Sequence, residues 1–267
     1  MRTTHVFRGD EWIASVPLHL QLFRVLNFKP VKYAHVAPLM KEENGGKRKL
    51  SKRKDPEAAV TFYAEEGYPK DSVNEYVMTI ANSNFEDWRR ANKDAGLDKF
   101  PFNLKKMSVS GALFDIVKLT DVSKNVISTM TADEVFTQSY EWAKEFNPQL
   151  AALYEQDKSY ATAVLNIDRG NKKPRKDIAK WSDIPDYISY MYDKTFTENY
   201  ELTGNATPEL AVKVLTLYKD IVEVNDDKDT WFDKIKSICE PVGCTPNVKE
   251  FKQNPEAFAG HVGYVST

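Results

Sequence analysis

The stretch Asn44-Gly45-Gly46-Lys47-Arg48-Lys49-Leu50-Ser51-Lys52-Arg53-Lys54-Asp55-Pro56 divides the chain into two unlike parts. Before it, the hydrophobic spacing reads as strand, helix, strand; after it, as one helix after another. Six of the eight residues from Lys47 to Lys54 are basic. One reading is a solvated or nuclear-localisation-like run, which such segments usually are. The other takes note of Leu50-Ser51 set between cations, after a strand and a Gly turn. A Gly-hinged loop of that kind can fold over a triphosphate and stabilise the charge that develops as pyrophosphate leaves. Taken alone, the stretch leaves both readings open.

Upstream, Thr3 to Phe7 reads as a short strand ending at Arg8-Gly9-Asp10. A helix follows in which Leu18, Leu22, Phe23 and Leu26 share a face, with Pro17 suited to the first turn. Tyr33 to Met40 reads as a second strand, closed by the Asn44-Gly45-Gly46 turn. That is the tail of an α/β unit and is too short for a whole nucleotide-binding sheet, which takes about four or five strands.

Downstream the pattern is helical. Pro56 to Glu66 and Pro69 to Ala81 each start on a proline. Asn92 to Lys106 is polar and irregular, and Asp115 to Ser128 restarts the helical period. Thr131-x-x-Glu134 is a capping box ahead of a helix carrying Val135, Phe136, Tyr140 and Trp142. Further helices are expected near Asp157 to Ile167, Asp183 to Tyr192, Pro208 to Val222 and Thr230 to Ile238. Their aromatics read as core rather than as a base-stacking platform.

Composition narrows the function classes. Hydrophobic residues make up 42% and charged residues 28%, as in ordinary globular domains, and 267 residues suffice for two domains or for one large one. No apolar run approaches the roughly 20 residues needed to span a bilayer, so no membrane partner is expected. Met1 to His5 is not followed by an apolar signal core, so no secretory signal is expected. With two cysteines no disulfide framework is expected, and a reducing cytoplasm fits best. Cys239 and Cys244 read as two half-buried thiols: their spacing, without a second pair, does not supply the ligand count of a zinc site, and no metal site is expected. The net charge of -2 is uninformative, but its distribution is not. Met1 to Asp55 holds twelve Lys or Arg against five Asp or Glu, and Asp168 to Lys180 holds six against two. Two basic stretches on a near-neutral protein fit either a polyanion met at two places or two solvated loops.

Order decides between these readings. Arg8-Gly9-Asp10-Glu11-Trp12 is followed by Ser15-x-Pro17, then His35-x-x-Pro38-Leu39, then Lys49-Leu50-Ser51-Lys52-Arg53. After these come Tyr63-x-Glu65-Glu66-Gly67-Tyr68 and a helix with Asn74-Glu75-Tyr76; a later block is Gly111-Ala112-Leu113-Phe114-Asp115-Ile116-Val117-Lys118-Leu119. In this order and spacing the chain resembles the glutamyl-tRNA synthetases of class I. Their motifs are R-G-D/E-E-H/W, S/T-x-P, aromatic-x-H-x-P-L-L, the K-[LI]-S-K-R form of the KMSKS loop, Y-x-E-E-G-[FY] and G-x-x-F-D-x-x-K-L. The match runs from Thr4 to Tyr76, with the last block beyond it.

The resemblance implies a mainly α chain: a short α/β remnant of a Rossmann catalytic domain over residues 1–55, a helical stem-contact domain over 56–140 and a helical anticodon-binding domain over 141–267. It implies ATP with Mg2+, glutamate and tRNA-Glu as the partners of the whole enzyme, with no DNA. Arg8 matches the arginine that helps bind glutamate, and a guanidinium suits a carboxylate through a bidentate pair. Lys52 matches the loop lysine that contacts ATP, with Lys49 and Arg53 as flanking catalytic cations. Trp12 matches a position beside the adenylate; the alternative is that it packs the strand against the following helix. Met40 matches a position where backbone groups meet the adenine. In Asp168-Arg169-Gly170-Asn171-Lys172-Lys173-Pro174-Arg175-Lys176, the Pro-Arg pair makes Arg175 the candidate reader of an anticodon base, with Lys172, Lys173 and Lys176 on phosphates.

The departures from the family pattern shape the expectation. Thr120-Asp121-Val122-Ser123-Lys124 replaces the family's W-[ML]-N, and the Asn82 to Met107 loop is longer and more charged than usual. No HIGH-type signature precedes the Lys49 to Arg53 loop; His261-Val262-Gly263-Tyr264 is half of one in the wrong place. The expectation is therefore a C-terminal half that binds tRNA without activating glutamate. A free-standing, catalytically inactive tRNA- or RNA-binding protein is the alternative. Stripped of neighbouring strands, Met1 to Met40 would leave sheet edges in need of cover.

Overall fold

The computed structural model describes residues 2–197, 202, 207–246 and 249. His261-Val262-Gly263-Tyr264 lies outside them. The chain forms two compact units, Met1–Phe196 and Thr197–Thr267.

The first unit opens with β1 (His5–Gly9), a 3-10 turn over Asp10–Ser15, α1 (Val16–Val25) and β2 (Lys32–Val36). β1 and β2 pair in parallel, with Arg8 opposite His35. With α1 between the two parallel strands, this is a βαβ unit. Pro17 falls in the first turn of α1, as its sequence position suggested. The apolar residues of this unit are largely uncovered: Phe7, Leu18, Leu22, Val25 and Phe28 are all exposed.

The expected second strand, Tyr33 to Met40, is in fact two. β2 ends at Val36, and β3 (Met40–Glu43) turns back as β4 (Gly46–Lys49) in an antiparallel hairpin. Asn44 and Gly45 take φ of 52° and 76°. Both left-handed central residues define a type I′ turn, for which Asn-Gly is the preferred pair. Gly45-Gly46 is thus the tip of a hairpin and not a hinge of the basic loop, and Lys47, Arg48 and Lys49 lie in a strand. Only Leu50 to Lys54 forms the loop. β3 is held from its other side, where Met40 bridges Leu113. Gly111 permits that approach: its φ is +85°, and an added Cβ would lie 2.5 Å from the Pro38 carbonyl oxygen.

Beyond the loop the first unit is helical: α2 (Val60–Glu66), α3 (Lys70–Ala81), α4 (Phe85–Ala91), α5 (Ile116–Thr129), α6 (Ala132–Phe146), α7 (Pro148–Gln156), α8 (Lys158–Leu165) and α9 (Ile184–Ile188). The mainly α expectation holds. Boundaries shift where local signals compete. Pro56–Ala58 is a separate 3-10 turn, and Pro69 is the N-cap of α3 rather than its first residue. The helix expected over Asp183 to Tyr192 breaks into 3-10, α and 3-10 segments. α4 and α7 were not anticipated; Asn147-Pro148, an N-cap followed by Pro at the first position, was the available signal for α7. The Thr131/Glu134 capping box is present, with Glu134 N–H donating to Thr131 Oγ1 (3.3 Å) and Thr131 N–H to Glu134 Oε2 (2.8 Å).

The main core is built from Ile127, Val135, Phe136, Leu150, Tyr154, Leu165, Trp181, Ile184 and Ile188 among others; of the aromatics expected in the core Phe136 is buried, Tyr140 and Trp142 pack against it partly buried, and Tyr160, Tyr190 and Phe232 are exposed. α2 docks onto this core through its end. Gly67 has φ of +83°, and an added Cβ would sit 3.0 Å from Trp181 and Trp142. Its carbonyl accepts Trp181 N–H (2.8 Å), and Trp142 Nε1 donates to the Ala64 carbonyl (2.9 Å). A second cluster of Tyr68, Tyr76, Phe114 and Leu119 joins α3 to α5, with the Asp115 N–H donating to Tyr76 Oη (2.6 Å).

In the second unit, α10 (Pro208–Ile221) and α11 (Lys228–Ser237) are the described helices. Cys239 and Cys244 are fully rather than half buried, joined by a backbone bond from Cys244 N–H to the Cys239 carbonyl (2.8 Å), and packed with Val242 against Leu210, Val214 and Leu217. Among the described residues no helix is long and apolar enough to cross a membrane.

Candidate functional site

Parallel strands offer their carboxyl ends to ligands, because the following turns open there. Arg8 stands near the end of β1, half-buried. Its Nε donates to His35 Nε2 (3.0 Å), Nη1 to His19 Nδ1 (3.0 Å) and Nη2 to the Trp12 carbonyl (3.2 Å). The guanidinium lies 4.6 Å from the Tyr33 ring centroid and 5.8 Å from that of Trp12. Rings on β2, α1 and the 3-10 turn thus orient it while leaving its charge unneutralised: among the described residues Arg8 forms no ion pair. Arginine has five N–H donors and no acceptor, so donors remain for an added carboxylate. Trp12 is 50% exposed, so it packs only in part against its surroundings.

The KLSKR segment begins beside this strand end. Lys49 Nζ is 3.7 Å from Glu11 Oε2, both of them exposed, which ties the end of β4 to the turn after β1. Leu50 N–H donates to the Leu39 carbonyl (2.8 Å). The loop then closes on itself: the Ser51 carbonyl accepts from Lys54 N–H (3.0 Å) and Asp55 N–H (2.8 Å). Lys52 and Arg53 are exposed at its apex and form no ion pair among the described residues. Met40, on β3, uses its N–H on the Ala112 carbonyl (2.8 Å) and its own carbonyl on Phe114 N–H (2.7 Å). What it still offers is its side chain and the second lone pair of that carbonyl.

Arg48 is set apart from the other cations of the run. Its guanidinium binds both oxygens of Asp55, at 2.6 and 2.7 Å, and Nε reaches Glu43 Oε2 at 2.7 Å. Asp55 is closed off from solvent, with 1% of its side chain accessible. Arg48 foremost, with Ser51 N–H and Lys41, holds its carboxyl well below the usual carboxylate range. Asp55 also pairs with Lys41 (3.2 Å), which in turn pairs with Glu57. Sequence reading treated Asp55 as a mere flank of the basic run; an acid bordering so many cations was the available signal.

The second basic stretch is a loop between α8 and α9. Its two arginines behave differently. Arg175 is exposed, with Nε on Asp177 Oδ2 (2.5 Å), Nη1 4.0 Å from Asp168, and the guanidinium 5.9 Å from the Tyr187 ring centroid. Arg169 is turned inward: Nε donates to the Leu165 carbonyl (2.6 Å) and Nη1 to those of Ile127 (2.8 Å) and Met130 (3.3 Å). It adds a donor to the carbonyl ends of α8 and α5, where Ile127 also accepts Met130 N–H (3.1 Å), and burial pushes its pKa down. Both arginines, with Tyr187, line one small surface pocket. Lys176 donates to Asn125 Oδ1 (2.5 Å), while Lys172 and Lys173 are exposed without an ion pair among the described residues.

The family model described as "tRNA synthetases class I (E and Q), catalytic domain" matches residues 1–121. The glutamate–tRNA ligase of Acetivibrio thermocellus is 45% identical over 267 residues, covering all of this chain and 49% of the relative. That of Clostridium perfringens strain 13 is 44% identical over 270 residues, covering all of this chain and 50% of the relative. The chain therefore spans about half the length of the curated relatives it matches. Among solved structures, a glutamate tRNA ligase from Elizabethkingia meningosepticum in complex with its amino acid superposes with a TM-score of 0.64 at 20% identity, over 91% of this chain and 49% of that one. The glutamate-tRNA synthetase of Elizabethkingia anophelis gives 0.61 at 18% identity, over 98% and 52%. At such identities the two structures speak for the fold alone.

Proposed function

We propose that this chain, which matches glutamate–tRNA ligases over about half of their length, is the C-terminal portion of such an enzyme. The whole enzyme would activate glutamate with ATP and Mg2+ and transfer it to tRNA-Glu in the cytoplasm. The observation that carries the reading is the closed 51–55 turn, which presents Lys52 and Arg53 to solvent with Lys49 at its base, next to the Arg8 strand end.

In this reading residues 1–55 are the late edge of the catalytic domain, 56–140 the stem-contact domain and 141–267 the anticodon-binding domain. Lys52, with Lys49 and Arg53, would meet the triphosphate and offset the charge that develops on departing pyrophosphate. Lys52 and Arg53 form no ion pair among the described residues, which suits phosphate, while Lys49 would exchange its exposed contact with Glu11. Mg2+ would arrive with the phosphates, as this ion commonly does; among the described residues no three His, Cys, Asp or Glu side chains converge to hold it alone. Arg8 would take a glutamate carboxylate through its unused donors, and Trp12 and the Met40 side chain would border the nucleotide. Arg175 would exchange Asp177 for a base edge of the anticodon, with Lys172, Lys173 and Lys176 on phosphates.

Its 267 residues contain no H-x-G-H sequence. The chain by itself is therefore expected to bind tRNA without making glutamyl-adenylate. The test is binding of tRNA-Glu at two salt concentrations alongside glutamate-dependent ATP–pyrophosphate exchange. Salt-sensitive binding with no exchange is expected. Exchange by the chain alone overturns the inactivity, and absence of binding at low salt overturns the tRNA role.

A further inference from the structure

We infer that Asp55 is the positioning residue of the KLSKR loop: its carboxylate clamps the loop's two ends together so that Lys52 and Arg53 are presented to a triphosphate already in place. The inference rests on the triphosphate reading of the loop given above.

Three features of the geometry converge on that carboxylate. Ser51, which opens the loop, donates its N–H to Asp55 Oδ2 (2.8 Å), while Asp55 N–H returns to the Ser51 carbonyl (2.8 Å). The loop is thereby closed by a backbone and a side-chain bond between the same two residues. Arg48, on β4, grips both oxygens in the fork geometry that fixes orientation as well as distance. Lys41, on β3, binds Oδ1 from the neighbouring strand and continues to Glu57 beyond the loop. One side chain thus joins both strands of the hairpin, the start of the loop and the turn that follows it.

The clamp also sorts the cations. Of the six basic residues from Lys47 to Lys54, Arg48 is held by Asp55 and Glu43. Lys52 and Arg53 lie on the apex that the clamp closes. Without it, five consecutive residues with three basic side chains would repel one another and spread, and ordering them would oppose ligand binding. Cations fixed in advance by supporting groups avoid that cost.

The experiment uses the full chain, trypsin, and inorganic tripolyphosphate as the probe. Cleavage after Lys52, Arg53 and Lys54 is timed by mass spectrometry, with helix content and thermal midpoint followed by circular dichroism. Asp55→Asn should speed cleavage at these bonds by about tenfold or more, with the thermal midpoint unchanged. It should also raise the tripolyphosphate concentration needed for half-protection by a similar factor. Arg48→Gln, which leaves Asp55 its bonds to Ser51 and Lys41, should move both readouts in the same direction by less, and serves if Asp55→Asn does not fold. Lys52→Ala should keep the loop closed but lose protection. Unchanged cleavage and protection in folded Asp55→Asn or Arg48→Gln overturns the clamp. If tripolyphosphate protects no form of the chain, the triphosphate site itself is overturned, and with it any role of Asp55 toward that ligand.

Discussion

Replacing Arg169 by Ala should cost stability, whereas replacing Arg175, six residues on in the same loop, should cost tRNA affinity. Arg169 makes two well-formed bonds, to Leu165 (2.6 Å) and Ile127 (2.8 Å), and a long one to Met130 (3.3 Å). Hydrogen bonds from a charged donor contribute about 1.5–3 kcal/mol each. The site is only partly covered, so water can reach the freed carbonyls and the lower figure applies. The third bond is too long to add much. Two bonds at about 1.5 kcal/mol give about 3 kcal/mol, reduced to about 2–3 kcal/mol because burial already disfavours the guanidinium charge. For a unit of this size, about 2–4 °C of melting temperature follows each kcal/mol. Arg169→Ala should therefore lower the midpoint by about 5–10 °C in a circular-dichroism melt, and Arg169→Lys should recover less than half, since an ammonium lacks the fork.

Arg175 offers the contrast within the same assay. Its pairs with Asp177 and Asp168 are exposed, and such pairs are worth about 0–1 kcal/mol. Arg175→Ala should leave the melt within about 3 °C yet weaken tRNA-Glu binding by about 5- to 150-fold, the cost of one base contact. The reasoning fails if Arg169→Ala melts within a degree of the unaltered chain. It fails too if Arg175→Ala is the more destabilising change, or binds tRNA-Glu as well as before.

Removing the α6 cap with Thr131→Ala should cost about 1 kcal/mol in urea denaturation, and an unchanged midpoint would show the box to be ornamental. The Asp55 clamp sets a pH dependence: its carboxyl is depressed in the folded loop, so closure is fully present above the ordinary aspartate value of about 4 and is lost as pH falls through the lower folded one. The amide-exchange protection of Ser51 should be flat from about pH 7 to 4 and then fall by at most about tenfold per unit, whereas a midpoint near neutrality would point to another group. The uncovered face of the βαβ unit should bind a fluorescent apolar dye, and Leu18→Ser with Leu22→Ser and Val25→Ser should roughly halve the signal without changing tRNA affinity. Unchanged dye binding in that variant would place the apolar surface elsewhere.

How much of this was legible beforehand depended on the range of the signal. The α1 proline, the Thr131/Glu134 box and the periods of α5 and α10 are local, and the chain adopts them nearly as read. The Asn44-Gly45 turn was read correctly as a turn but given the wrong role. A type I′ pair needs a strand on each side, and three consecutive basic residues do not advertise themselves as β4. α4 was hidden in a charged segment of only seven residues, whose apolar pair, Phe85 and Trp88, is too short a signal to set a helical period. At the candidate site, the cations were found by type and spacing, while Asp55, Arg169, His19 and Glu11 were passed over because their roles depend on residues brought near only by folding.

The sequence by itself determined the order of elements, the mainly helical character and the ordered motifs that identify the family. These follow from period, turn residues and spacing, all properties of neighbours along the chain. Tertiary structure alone decided which cations remain available. Arg48 is withdrawn by Asp55 and Glu43 and Arg169 by three carbonyls, while Lys52 and Arg53 stay at a closed apex and Arg175 keeps only exposed partners. A basic side chain looks the same in every part of a sequence. Its chemistry is set by the acids, carbonyls and rings that folding brings to it.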